Sequence, residues 1–273
     1  MMNYMMESFN IDRFGKTLCW VVKANSRNLM FWTLGFFAGV FLAEMLVFTF
    51  ADSTESAQDS ALSLGIPFCL IGVLACLSSI MSDVNKKPQR TAFLMLPASN
   101  LEKYLSLVFY VTVVWVVCVV LSLIAGDTLR MAVRALCFGD KWISTIPLLL
   151  DALMPYSLKR LWMPEIVFMV LMLIFIHSLY ILGGTWLRKY AFVVSSLVLI
   201  AMPVMIQYLC VEPGGHLNLF VIYDGVRHVN PLSYVLDVMF VILAAFNYWA
   251  SFRIFKNFEL ITNKWTNYDI LKR

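Results

Sequence analysis

The sequence predicts an all-α integral membrane protein with six transmembrane helices, on three observations. First, 61% of its 273 residues are hydrophobic and only 14% are charged, with a mean hydropathy of +0.78. A soluble domain is about 45–50% apolar and about 25% charged, so the excess apolar surface has to face lipid. Second, six apolar runs are each long enough to cross about 30 Å of hydrocarbon as a helix. Third, none of these runs alternates polar and apolar residues as the strands of a membrane barrel do.

Taken in order, the predicted spans are 29–50, 61–82, 104–125, 164–184, 190–211 and 231–253, with segment 1–28 before them and a tail 254–273 after them. No cleavable signal peptide is expected, because the first apolar run follows a charged segment and is too long for a signal core. Orientation comes from the Lys and Arg between spans. Fifteen lie on the side of the termini, including Arg13, Lys16, Lys23 and Arg27, Lys86, Lys87, Arg90 and Lys103, and Arg188 and Lys189. Six lie opposite, five of them in a long loop 126–163 and one, Arg227, in loop 212–230. Segment 51–60 has no basic residue but carries Asp52, Glu55 and Asp59. This asymmetry predicts cytoplasmic termini.

Before the first span, Ile11, Phe14, Leu18, Val21 and Val22 share one face at helical periodicity, while Arg13, Lys16, Lys23 and Arg27 take the other. Such a helix lies either in the membrane interface or against protein. Gly15-Lys16-Thr17 imitates the end of a phosphate-binding loop. The required first glycine is Asn10, however, and no strand precedes it, so no nucleotide site is expected there.

The loop 83–103 carries more information. Pro88 opens a short helix and Pro97 stops it. Ser99 and Glu102 then form a capping box that starts the helix of the third span. The apolar cluster Phe93, Leu94, Met95 and Leu96 is expected to meet a partner or to rest on the chain's own first helix.

At this loop the string FLMLPASNLEKYLSLVFY resembles the segment between the second and third spans in permease subunits of type-2 ABC exporters, in particular a bacterial group with an LPASNLEK-like loop. The resemblance implies that Ile11–Val22 is an interfacial elbow helix and that Gln89–Leu96 is a coupling helix seated on an ATPase subunit. Arg90, Phe93, Leu94, Leu96 and Glu102 would then form the ATPase-coupling set, and Ile11, Phe14, Lys16, Leu18 and Lys23 the interfacial set. It further implies a second permease copy (a homodimer or a heterodimer), a bacterial cytoplasmic membrane, and ATP and magnesium on the partner ATPase, with no cofactor in this chain. The segment 209–230, with Pro213-Gly214-Gly215, would hold re-entrant half-helices.

Polar groups within the spans are functional candidates by default. Glu44, His177, Gln207, Asp237 and Asn247 are the candidates for a substrate pathway, with interhelical hydrogen bonding as the competing reading. An enzyme is not expected, since no HExxH or GxSxG motif occurs. No metal site is expected, although Glu212, His216, Asp224 and His228 share one loop, and no cysteine pair has metal-ligand spacing. Cys137 and Cys210 are the two cysteines an oxidising compartment would pair. The predicted function is thus the membrane-spanning subunit of an ABC exporter, in contact with lipid and without a nucleic-acid partner. The alternative is an ATPase-independent membrane anchor or immunity-type interaction protein.

Overall fold

The computed structural model describes residues 9–81, 84, 87–153, 162–210, 219–223 and 226–257. It contains six helices long and apolar enough to cross a membrane. In chain order the elements are α1 (Ile11–Ala24), α2 (Ser26–Phe50), α3 (Thr54–Ser78), α4 (Lys87–Leu94), α5 (Asn100–Phe138), α6 (Ile146–Leu153), α7 (Met163–Trp186), α8 (Ala191–Cys210), β1 (Phe220–Tyr223), β2 (Val226–Val229) and α9 (Pro231–Lys256). The six long helices are α2, α3, α5, α7, α8 and α9.

The chain divides into two compact units. One comprises Ile11–Cys76 and Ser106–Arg160. Within it α2 packs along α5, and Gly126 lets them approach closely, since a side chain there would run into Val40 and the backbone of Phe41. Ser122 of α5 donates to the carbonyl of Thr33, while Arg130 and Arg134 reach Glu44 and Thr49. These three pairings set the depth of α5 against α2. Helix α5 continues to Phe138, past the end of the predicted third span at 125. The predicted loop 126–163 therefore begins with three more turns of helix, and two of the six basic residues assigned to that side belong to it.

The second span also differs from the prediction. Helix α3 begins at Thr54, where Ser53 accepts a hydrogen bond from the amide of Ser56, so most of the expected loop 51–60 is helical. Glu55 lies in its first turn, where a carboxylate is favourable to the helix dipole. Helix α1 spans Ile11–Ala24. Val21 and Thr17 are buried, Phe14 meets Phe109 of α5 edge-on, and Ile11, Lys16 and Lys23 are exposed. Just beyond Phe109, α5 widens into one π-helical turn, Tyr110–Val114, before resuming α geometry.

The other unit comprises Met1–Asn10, Leu77–Leu105 and Leu161–Arg273. Its core is the contact of α7 with α9, where Phe175 stacks on Phe240 at 5.3 Å and Leu236 is buried beside them. Gly184 fits against the carbonyl of Ser78, an approach any side chain would block. The described residues between α8 and α9 form an antiparallel pair, β1 with β2, in the register Phe220 to Val229. They are strands where the resemblance implied half-helices, while Pro213–Gly215 lie outside the described residues. Glu212, His216, Asp224 and most of the tail 254–273 also lie outside them.

Candidate functional site

Three polar groupings stand out against the apolar helices, and each belongs to a single unit.

The first surrounds Arg130. Asp127, Arg130 and Arg134 fall at i, i+3 and i+7, a single stripe of α5. The Arg130 guanidinium lies 3.0 Å from Glu44 Oε2 of α2, pairs with Asp127, and donates to the carbonyl of Ile143 at 2.7 Å. Its side chain is 3% exposed and its cationic plane sits 4.0 Å over the Phe48 ring. Residues 144–145 close the cluster: the Ser144 hydroxyl donates to Asp127, and the Thr145 hydroxyl lies 3.0 Å from Glu44 Oε1 and 3.1 Å from Asp127 Oδ1. That hydroxyl has one proton, so it serves one carboxyl at a time. Ser144 also accepts from the amide of Ile146 and so starts α6, while its carbonyl accepts from Gln58 of α3. The network thus ties α2, α3, α5 and the start of α6 together. Two carboxyl groups face one guanidinium in it. A cavity of about 250 Å³ opens beside Glu44 and Thr145.

Glu44 alone of this cluster is a sequence candidate. Asp127, Arg130, Ser144 and Thr145 are missed because charges at 127 and 130 look like the end of a span. The available signal is their helical spacing, which continues the apolar stripe of α5.

The second grouping is α4 and its supports, where the predicted ATPase-coupling residues lie. Three of them, Arg90, Phe93 and Glu102, are buried within the chain. Phe93 is fully buried and meets Phe255 of α9 edge-on. Arg90 is 2% exposed and its Nε donates to the carbonyl of Val84 at 3.3 Å. Burial, and secondarily the like charge of Arg188, lowers the Arg90 pKa from its ordinary value. Glu102 is fully buried as the capping residue of α5: it accepts from the amide of Ser99 at 2.8 Å, while its own amide donates to the Ser99 hydroxyl. Its second oxygen accepts from the amide of Asn10 at 2.8 Å. Lys103 donates to the carbonyl of Leu94 and closes the C-terminus of α4. Leu94 and Leu96 are half-buried, and Met95 is 78% exposed beside exposed Thr91, Ala92, Pro97 and Leu101. A partner would meet this second face.

The third grouping is the seam of α7 with α9, which holds two predicted pathway residues. Asn247 is buried and donates to the Ser178 hydroxyl at 3.1 Å. His177 lies 2.6 Å from the Tyr248 hydroxyl through Nδ1. Further along, Ser251 accepts from both Tyr104 and Thr185 at 3.0 Å. Of the remaining candidates, Gln207 is half-buried on α8, and Asp237 is half-buried on α9 with one oxygen lacking a hydrogen-bond partner. Of the five pathway candidates, Glu44 belongs to one unit and the other four to the second.

Cys137 is an exposed free thiol, and no metal-ligand cluster occurs among the described residues. No protein-family model matches the chain, and no curated protein or solved structure matches it either.

Proposed function

We propose that this chain is the membrane-spanning permease subunit of an ABC exporter, pairing with a second permease copy and driven by a separate ATPase that holds the nucleotide. The carrying observation is Phe93–Tyr110, whose string FLMLPASNLEKYLSLVFY resembles the segment between the second and third spans of such permeases. The construction of α4 supports this reading. A motion imposed on a short helix travels only if the helix is rigidly attached, because a loose one would absorb it. Helix α4 is attached at Arg90, at Phe93 and, through Lys103, at its last turn, while Met95 stays outside. Docked on an ATPase, the exposed face would push the long helices between two states whose populations ATP binding biases. Both termini and α4 are cytoplasmic in this proposal.

The burial of Phe93 dictates how it is tested. Placing a carboxylate at Phe93 would bury a charge in the chain's own core, so it reports on folding. Met95→Asp and Leu101→Asp alter the outward face at a folding cost within about 0.5 kcal/mol. The full chain, affinity-purified from its native membrane, is expected to co-elute with an ATPase. Both variants are expected to keep their thermal stability in detergent and to lose the ATPase. An unchanged complement of co-eluting proteins in both variants, or no ATPase with the wild type, would reject the exporter in favour of an ATPase-independent anchor.

A further inference from the structure

The cavity beside Glu44 is an unusual feature for the middle of a membrane helix pair. Helices α2 and α3 face each other across it with small residues, Gly39 and Ala43 on one side and Ala61 and Gly65 on the other. Small residues usually bring helices into contact. Here they line a slot of about 250 Å³, walled otherwise by Val40, Val47, Leu123 and Leu149. Leu64 and Phe68, which also line it, are 57% and 42% exposed, so the slot opens sideways on the lipid-facing surface. Its polar end is Glu44, 13% exposed, together with the Thr145 hydroxyl.

Among the described residues, the carboxyl groups at that end outnumber the cation between them. Glu44 and Asp127 present two carboxyl groups to the single guanidinium of Arg130. The next cation, Arg134, is taken up by Asp140. An uncompensated carboxylate amid hydrocarbon is costly, and the Arg130 pairing offsets only one. Glu44 accepts from Arg130 at one oxygen and shares the Thr145 hydroxyl proton with Asp127 at the other, so each oxygen retains a lone pair. The site therefore offers apolar walls, a lateral opening, and at its end spare acceptor capacity, with two carboxyl groups to one guanidinium among the described residues.

We infer that this slot binds an amphiphile from the bilayer whose headgroup is a protonated amine, its alkyl chain between α2 and α3 and its ammonium on Glu44 and Thr145. A neutral headgroup would bring no cation to the second carboxyl group, and an anionic one would add a third acidic group beside the two. This assignment is independent of the exporter reading, since it uses only residues of one unit and no ATPase.

The test uses the purified full chain in detergent and dodecylamine as the probe, with dodecanol, dodecanoate and water-soluble butylamine as comparisons. Retention in native mass spectrometry and the shift in thermal unfolding are the readouts. Dodecylamine is expected to bind and stabilise the wild type more than any comparison compound. Glu44→Gln is expected to bind it about tenfold more weakly or worse, as when the charged partner of a desolvated ion is removed. Gly65→Leu keeps the ionic cluster and fills the slot, because a side chain at Gly65 meets nothing within 4 Å. It is expected to abolish binding even if Glu44→Gln does not fold. Equal binding of dodecanol or dodecanoate, undiminished binding by Gly65→Leu or by folded Glu44→Gln, or no binding to the wild type would overturn the assignment. Equal binding of butylamine would overturn the bilayer as the source.

Discussion

The α2–α5 and α7–α9 helix pairs solve the same problem in opposite ways. Both carry polar side chains along otherwise apolar helices, where an unsatisfied group is expensive. The α7–α9 seam uses hydrogen bonds between side chains without a carboxylate or guanidinium, Asn247 with Ser178 and His177 with Tyr248. The α2–α5 pair instead buries an arginine between two carboxyl groups and draws in Ser144 and Thr145 to finish the coordination. Neutral bonds between membrane helices add modest specificity, because the separated helices also find partners. A buried ionic group stands or falls as a whole, and here it borders a cavity. This difference marks the charged pair as the place to look for a ligand and the neutral seam as the place where two helices are registered.

The comparison is sharpest at Arg130. Arg130→Leu removes the guanidinium that pairs with both Glu44 and Asp127, and breaking a buried pair on one side costs on the order of 3–5 kcal/mol. Expected is loss of folded protein, or a large fall in unfolding temperature in detergent. The triple variant Arg130→Leu, Glu44→Gln, Asp127→Asn is expected to recover a substantial part of that stability. If the single variant matched the wild type, the cluster would not be the buried network described.

Asn247→Ala and Ser178→Ala probe the neutral seam. Each is expected to cost about 0.5–2 kcal/mol, within the range measured for hydrogen bonds between membrane helices. The double variant should fall short of the sum, since both remove one shared bond. A loss as large as that of Arg130→Leu would erase the distinction between the two pairs.

Tyr248→Phe is the mildest test. It removes the hydroxyl that meets His177 while the ring stays, and the expected cost is about 0.6 kcal/mol, the average for such bonds. Thermal unfolding beside Ser178→Ala measures it. A larger effect on the protein's activity than on its stability would place the His177–Tyr248 pair in function and not only in packing.

How far the sequence could be read is visible at two positions. Glu102 was legible: Ser99-x-x-Glu102 is a local signal, and the capping box forms where the spacing puts it. Its bond to the amide of Asn10, 92 residues away in sequence, was not. Phe93 shows the opposite case. Its neighbours in sequence are exposed or half-buried, and nothing local distinguishes it from Met95. One is fully buried against Phe255 and the other 78% exposed, because a short helix turns one face to whatever the chain brings beside it.

By itself the sequence determined the number of membrane-length helices, the helix before the first of them, the proline-bounded turn and the start of α5. All of these rest on composition, on periodicity or on residues within four positions of one another, where short-range energetics decides. Tertiary structure alone decided that α5 continues past Asp127 and Arg130. Charges normally end a membrane helix, and these do not because Glu44, Ile143, Ser144 and Thr145 arrive from distant parts of the chain to satisfy them. That outcome depends on the pairing of groups up to about a hundred residues apart, such as Thr145 with Glu44 at a separation of 101. The helical spacing of Asp127, Arg130 and Arg134 permits a continued helix, but no local pattern names the groups that satisfy them.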